Sequence, residues 1–243
     1  MKILKYKKIS SNKYRVYLDN NENIILHENI IIKYNLLIEK EITNLNSIMI
    51  DNNNYLLYDE TLSYISKKMR CEFEIRNYLN KKEVSNDIIE QIINKLKKDG
   101  FLNEKLFVKS YISDKMRLSK NGINKIKSDL IKLNIDKKVI EDEIKKFDLN
   151  ESNNILEKLI DKKIRSNKSY GPEVLKQKLL IEFINKGYDK QDIIQIIESK
   201  DISCDNIYEK EYQKLYNKYS KKYSGSELDY FIKQKLFQKG LKK

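Results

Sequence analysis

Few residues in this chain have the type and spacing to make or break bonds. Its one histidine, His27, closes a segment with strand character. A serine–histidine–aspartate relay built on it would need a nucleophile motif, and none accompanies it, so His27 reads as structural. The two cysteines, Cys71 and Cys204, have no CxxC spacing. They suggest neither a disulfide framework nor a structural zinc site, and point to a reducing compartment. The six glycines form neither GxxxxGK[ST] nor GxGxxG, so no phosphate-cradling loop is evident. Asp59-Glu60 and Glu141-Asp142-Glu143 read as solvated helix faces. No enzymatic activity, cofactor or metal site is expected.

What remains is charge. Lys and Arg number 49 against 36 Asp and Glu, a formal net charge of +13. Such an excess suits an anionic partner: nucleic acid, an acidic protein surface or a membrane surface. The same excess also fits the composition bias of an AT-rich genome, because the chain is rich in Lys, Asn, Ile and Tyr and has no alanine. Arginine is more informative because it is scarce: Arg15, Arg70, Arg76, Arg117 and Arg165 are all there is. Its planar fork matches carboxylate or phosphate in a way lysine does not. The start of the chain has no signal-peptide stretch, and no run approaches the ~18 apolar residues of a spanning helix. A soluble, cytoplasmic protein with no membrane partner is expected.

These residues must be positioned by local structure. Residues 2–9, 13–18 and 24–27 read as short strands, with a polar hairpin turn over 19–23 and Tyr14, Val16 and Leu18 alternating inward. A short helix is expected over 29–37. From about residue 59 the pattern turns helical and repeats. Leu79, Leu130, Phe183 and Leu236 each open the same junction, at spacings of 51, 53 and 53 residues. An apolar residue is followed by a polar turn, an anchor (Val84, Ile135 or Tyr188), a cap (Ser85, Asp136 or Asp189) and an amphipathic helix. Asn134 and Gly187 suit a left-handed helix end. A third helix should start near Asn103 and bury Leu106, Phe107, Ser110 and Tyr111.

The predicted fold class is mainly α: tandem three-helix repeats in an elongated curved array, with a small N-terminal β-rich segment. That segment spans residues 1–57. Three repeats follow over 58–112, 113–165 and 166–220. Residues 221–243 form a partial fourth repeat whose lone first helix must pack on the third unit or fray. Twelve residues separate Gly171 from Phe183 against eight between Gly122 and Leu130, so the third unit's first helix should be a turn longer.

The basic residues are the binding candidates. Lys67, Lys68, Arg70 and Arg76 are placed on the first helix of the first unit. Arg117 and Lys120 precede the second unit, and Arg165 and Lys168 precede the third. On a curved stack they would line one concave face; ordinary solvated helix surface is the alternative. Tyr208, Tyr212, Tyr216 and Tyr219, spaced by four and three residues, read as a packing stripe more readily than as a base-stacking platform.

The first unit resembles the RecX family. Lys68-Met69-Arg70-Cys71-Glu72-Phe73-Glu74-Ile75 is similar to the family's basic-x-Arg-Ser/Thr-x-x-Glu-Leu opening, with Cys71 in the Ser/Thr place and Ile75 in the Leu place. Gly100 to Val108 resembles its Gly-hydrophobic-Leu-Asp/Asn-Asp-x-x-Phe-Ala element, from which Glu104 and Val108 depart. Gly122, Ile126, Leu130 and Ile135 fit its second unit, with Asn134 replacing a common Gly. The strand ending Val16-Tyr17-Leu18-Asp19 resembles the leader of many Gram-positive members. The resemblance implies a monomeric regulator that binds the RecA–DNA filament and restrains RecA's recombinase, ATPase and co-protease activities in recombination, repair and SOS control. Single- or double-stranded DNA could be contacted through phosphates. A free-standing, sequence-independent DNA-binding protein is the alternative, although no helix carries a compact base-reading set of Arg, Asn and Gln. A scaffold for another acidic protein is a third.

Overall fold

The alternation of Tyr14, Val16 and Leu18 is realised in a three-stranded antiparallel sheet of β1 (Ile3–Lys8), β2 (Lys13–Leu18) and β3 (Asn23–His27), in that order. The structure, a computed structural model, describes residues 1–202 and 207–242. Val16 and Leu18 point inward and are fully buried. With Ile3 and Leu26 they pack against Ile30 and Ile31 of α1 (Glu28–Lys33), Leu36 of α2 (Leu36–Glu39) and Ile48 of α3 (Leu45–Ser66). The single helix expected over 29–37 is two short ones, because Asn35 between them is left-handed at φ 51°. Asn tolerates that conformation better than most residues.

The larger departure is α3, which runs unbroken for 22 residues. It carries three consecutive asparagines, poor helix formers, and it crosses the boundary placed between residues 57 and 58. Tertiary packing explains it. Asn52 is fully buried. Its Oδ1 accepts from the His27 amide at 2.7 Å, and its Nδ2 donates to the Ile25 carbonyl at 2.9 Å. One side-chain amide thus satisfies the outer edge of β3, which would otherwise present unpaired backbone groups. On the opposite edge, Ile3 donates to the Lys40 carbonyl and Ile42 to the Met1 carbonyl, both at 2.8 Å.

The second half of α3 shares a core with α4 (Glu72–Asn80) and α5 (Asn86–Lys98): Tyr58 meets Ile75, Leu79, Ile89, Ile93 and Leu96. These elements complete the first of two compact units, which ends at Asn103.

The second unit, from Glu104 onward, holds α6 (Glu104–Arg117), α7 (Ile123–Lys132), α8 (Lys137–Ile144), α9 (Leu149–Arg165), α10 (Pro172–Asn185), α11 (Lys190–Glu198), α12 (Ile207–Tyr219) and α13 (Gly225–Gln238). Here α6 packs on α7 and α8, α9 on α10 and α11, and α12 on α13. The helices that share a core are therefore a long helix and the pair that follows it. The boundary placed between 112 and 113 falls inside α6, and α6 packs forward on α7 and α8. Its buried face is Phe107, Val108, Ile112 and Met116; Leu106 is exposed.

The turns repeat as the spacing predicts. Glu83, Asn134, Gly187 and Gly240 are all left-handed, at φ 58°, 56°, 85° and 72°. Asp136 and Asp189 cap α8 and α11 through their side chains, whereas Ser85 holds the cap position of α5 without a side-chain bond. Helix α10 has 14 residues against 10 in α7, the extra turn expected from the glycine spacing. Tyr208, Tyr212 and Tyr219 pack against the α12–α13 core, while Tyr216 stays exposed.

Successive groups in this unit join backbone to backbone. Gly122, the N-cap of α7, donates to the Lys186 carbonyl at 2.8 Å, and Gly171, the N-cap of α10, donates to the Lys239 carbonyl at 2.8 Å. The lone helix α13 is therefore held by α12 and by the start of α10. Beside this joint, Glu211 is buried with Lys239, with Lys214 at 3.4 Å and with Ser169 Oγ at 3.3 Å. Burial pushes its carboxyl up, but the two ammonium groups outweigh burial and hold it below the ordinary carboxylate range. A depressed folded pKa contributes stability above the unfolded value of about 4.3, and that stability is lost as pH falls through the folded pKa. Glu211→Gln is thus expected to melt below the wild type at pH 7, and thermal melts should show the gap closing below about pH 4. A gap unchanged by acid would remove the charge pairing from this account.

Candidate partner-binding surface

Each long helix ends in basic residues, where the exposed carbonyls favour cations. Lys67 and Lys68 follow α3, Lys115, Arg117 and Lys120 surround the end of α6, and Lys162, Lys163, Arg165 and Lys168 surround the end of α9. The recurrence in the sequence is therefore a recurrence in the fold. Lys67, Lys68, Arg70 and Arg76 do not share one helix, however. The lysines close α3, Arg70 lies in the link, and only Arg76 is on α4.

The arginines differ sharply in availability. Arg70 lies over the Tyr64 ring at 4.4 Å and donates from Nη1 to Glu74 at 2.8 Å, while its Nε is buried with no partner among the described residues. Glu74 in turn accepts from the Cys71 amide at 3.2 Å, fixing the start of α4. Arg76 forks onto Glu90 at 2.7 and 3.0 Å and reaches Glu72 at 2.7 Å. Those carboxylates raise its pKa, and its charge is already neutralised within the fold. Arg117 pairs with Glu151 at 3.0 and 3.3 Å but is 60% exposed. Arg165 is 82% exposed and meets Asp161 only at 4.0 Å. Lys67, Lys68, Lys120 and Lys168 are exposed, with no carboxylate within 4.0 Å among the described residues.

The accessible set is thus Lys67, Lys68, Arg117, Lys120, Arg165 and Lys168; Arg70 and Arg76 act as internal struts. In the second unit, Lys158, Lys162 and Arg165 line a surface depression on α9 with Asp161 and Ser166. Lys186 was not apparent as a site residue. The Gly122 bond and the Tyr188 hydroxyl, which donates to the Lys120 carbonyl at 3.1 Å, bring its turn beside Lys120. Its sequence signal was its place in the repeated turn, where Lys82 and Lys239 also stand.

His27 is buried and both of its ring nitrogens have partners: Nδ1 accepts from the Asn29 amide at 3.0 Å, and Nε2 lies 3.2 Å from Asn12 Nδ2 and 3.1 Å from Asp59 Oδ2. Cys71 is a buried free thiol whose pKa burial pushes up, and Cys204 lies outside the described residues. Among the described residues no cluster of three or more His, Cys, Asp and Glu suits a metal ion, and no helix is long and apolar enough to cross a membrane.

A basic protein of tandem helical repeats with a small N-terminal sheet is the class these features define. Residues 58–96, from within α3 to the last turn of α5, match the family model described as the first three-helix domain of RecX. The "Regulatory protein RecX" of Streptococcus thermophilus (strain CNRZ 1066) is 32% identical, with 99% of this chain and 95% of that protein covered. Its namesake in Streptococcus sanguinis (strain SK36) is 30% identical, with 98% and 92% covered. A solved structure of regulatory protein RecX matches with a TM-score of 0.66 over 82% of this chain and 99% of its own, at 21% identity, a likeness of fold. RecX from Lactobacillus salivarius matches at 0.54 and 27% identity, over 61% and 96%. The chain belongs to the RecX family, whose members here are named as regulatory proteins.

Proposed function

We propose that this protein binds the RecA–DNA filament and inhibits RecA's recombinase, ATPase and co-protease activities, acting in recombination, repair and SOS control without bond chemistry of its own. The observation that carries this reading is its kinship with regulatory proteins over nearly its whole length. Its exposed cations support it: Lys67 and Lys68 in the first unit, and Arg117, Lys120, Arg165 and Lys168 in the second, each offer charge to an anionic filament surface, acidic protein or DNA phosphate. Such contacts would bridge neighbouring RecA subunits and alter filament assembly.

The test is RecA's DNA-dependent ATP hydrolysis, titrated with this protein at fixed salt. Hydrolysis should fall at protein levels well below those of RecA, with no hydrolysis by this protein alone. Reversing Lys68, Lys120, Arg165 and Lys168 to glutamate should raise the half-inhibitory concentration about tenfold or more, since each rim charge contributes modestly and also steers association. Undiminished inhibition by the reversed protein would assign binding to another face. No effect of the wild type on RecA, with retained binding to bare DNA, would leave the DNA-binding alternative.

A further inference from the structure

The strands of the N-terminal sheet hold five cations, Lys5, Lys7, Lys8, Lys13 and Arg15, and no Asp or Glu. The inner face is taken by the core, with Tyr6 donating from its hydroxyl to the Leu36 carbonyl at 2.8 Å. The register puts Lys5 opposite Tyr17, Lys7 opposite Arg15, and Arg15 opposite Ile25 on the other face. Lys5, Lys7 and Ile25 are exposed there, and Arg15 and Tyr17 are half-buried.

Arg15 is unlike the other four arginines. Among the described residues it alone of the five has no carboxylate within 4.0 Å, and its Nε, like that of Arg70, is buried with no hydrogen-bond partner among them. It also stands directly across from Lys7, a like-charge pairing that destabilises a sheet. Lysines on an edge strand such as β1 deter aggregation, but that does not account for an unpaired arginine on the central strand. A bound anion between Lys7 and Arg15 would neutralise that pairing. Tyr17, one step along β2, makes no ring contact among the described residues and offers a flat face beside that anion.

We infer that the open face of this sheet binds a single-stranded nucleic acid, with phosphates on Lys5, Lys7 and Arg15 and an unpaired base on Tyr17. Cationic tracks interleaved with aromatic faces hold single strands without reading sequence. Three strands about 4.8 Å apart give a platform roughly 10 Å wide, suited to one strand, and base stacking on a side chain requires an unpaired base. This site is distinct from the helix-end cations and does not depend on the RecA reading.

The test uses the full chain without RecA and follows the fluorescence anisotropy of a labelled oligothymidylate over a salt series. Lys7→Gln with Arg15→Gln should raise Kd at least about tenfold and make the slope of log K against log salt shallower by about 1.4, two phosphates at about 0.7 each. Tyr17→Leu should raise Kd about tenfold and leave the slope unchanged. Lys7→Arg should bind as the wild type does. Because the double variant removes a like-charge pair, its Tm should hold or rise, which separates lost binding from lost fold. Wild-type binding by the double variant would overturn the proposal. So would a duplex that binds as tightly as the single strand with Tyr17→Leu silent, the behaviour of a merely charged surface.

Discussion

Alanine at Gly171 is expected to cost about 3 kcal/mol and lower the melting temperature by about 10 °C, with alanine at Gly122 close behind. Both glycines have ordinary backbone angles, φ −69° and −75°, so alanine meets no conformational objection of its own. The cost is contact. A Cβ at Gly171 would stand 2.0 Å from the Gly240 oxygen, and one at Gly122 would stand 2.3 Å from the Gly187 oxygen. Those neighbours are backbone, which cannot rotate away as a side chain can. The turn must retreat, and with it go the bonds from Gly171 to Lys239 and from Gly122 to Lys186. Gly100→Ala is the control: nothing lies within 4 Å of its Cβ position, and only its φ of 78° resists, at about 1 kcal/mol. Thermal melts of the three variants should rank in that order. If Gly122→Ala and Gly171→Ala melt with Gly100→Ala, the joints are looser than the 2.8 Å bonds imply. Under the proposed function these joints also set the interval between basic helix ends. Both variants should then inhibit RecA less well even where they remain folded.

Much of this architecture was legible because it depends on local chemistry. The left-handed residues at 134, 187 and 240 are Asn, Gly and Gly, the types that tolerate that conformation, and they recur with a period that needs no partner to be seen. The extra turn of α10 followed from counting from Gly122 to Leu130 and from Gly171 to Phe183. What could not be read depends on distant residues. Helix α3 looks unfavourable because of Asn52, Asn53 and Asn54, and the reason for the first lies 25 residues away in His27. Arg117 looked free because Glu151 is 34 residues away; Arg76 has one partner four residues away in Glu72, but the fork onto Glu90, 14 residues away, could not be read. Gly122 and Gly171 could be seen as helix starts but not as contact points. The sequence grouped the helix starting near Asn103 with the pair before it, whereas α6 packs on the pair after it, α7 and α8: a junction motif marks a pair of helices, and only packing decides which long helix that pair joins.

Asn52→Leu is expected to destabilise the first unit by about 3 kcal/mol. It strands two buried backbone groups, the His27 N–H and the Ile25 C=O, at roughly 1–3 kcal/mol each, partly offset by the apolar side chain. Removing the cover from β3 also exposes a sheet edge, so the variant should show concentration-dependent aggregation on heating. Asn52→Asp separates lost hydrogen bonding from lost packing, because the shape is nearly unchanged. As a carboxylate it still accepts from His27 but faces the Ile25 carbonyl with a buried negative charge, which is costly. As a neutral acid it accepts from His27 and donates to Ile25, restoring both bonds. Burial raises the folded pKa of such a group above its unfolded value of about 3.9. Its stabilising contribution is then full below that value and is lost as pH rises through the folded pKa. Relative to the wild type at each pH, Asn52→Asp should therefore be much less stable at pH 7 and approach parity near pH 4. Asn52→Leu should show no such recovery. Equal deficits for the two variants at both pH values, measured by urea unfolding, would mean that Asn52 acts through packing and that the β3 edge is held some other way.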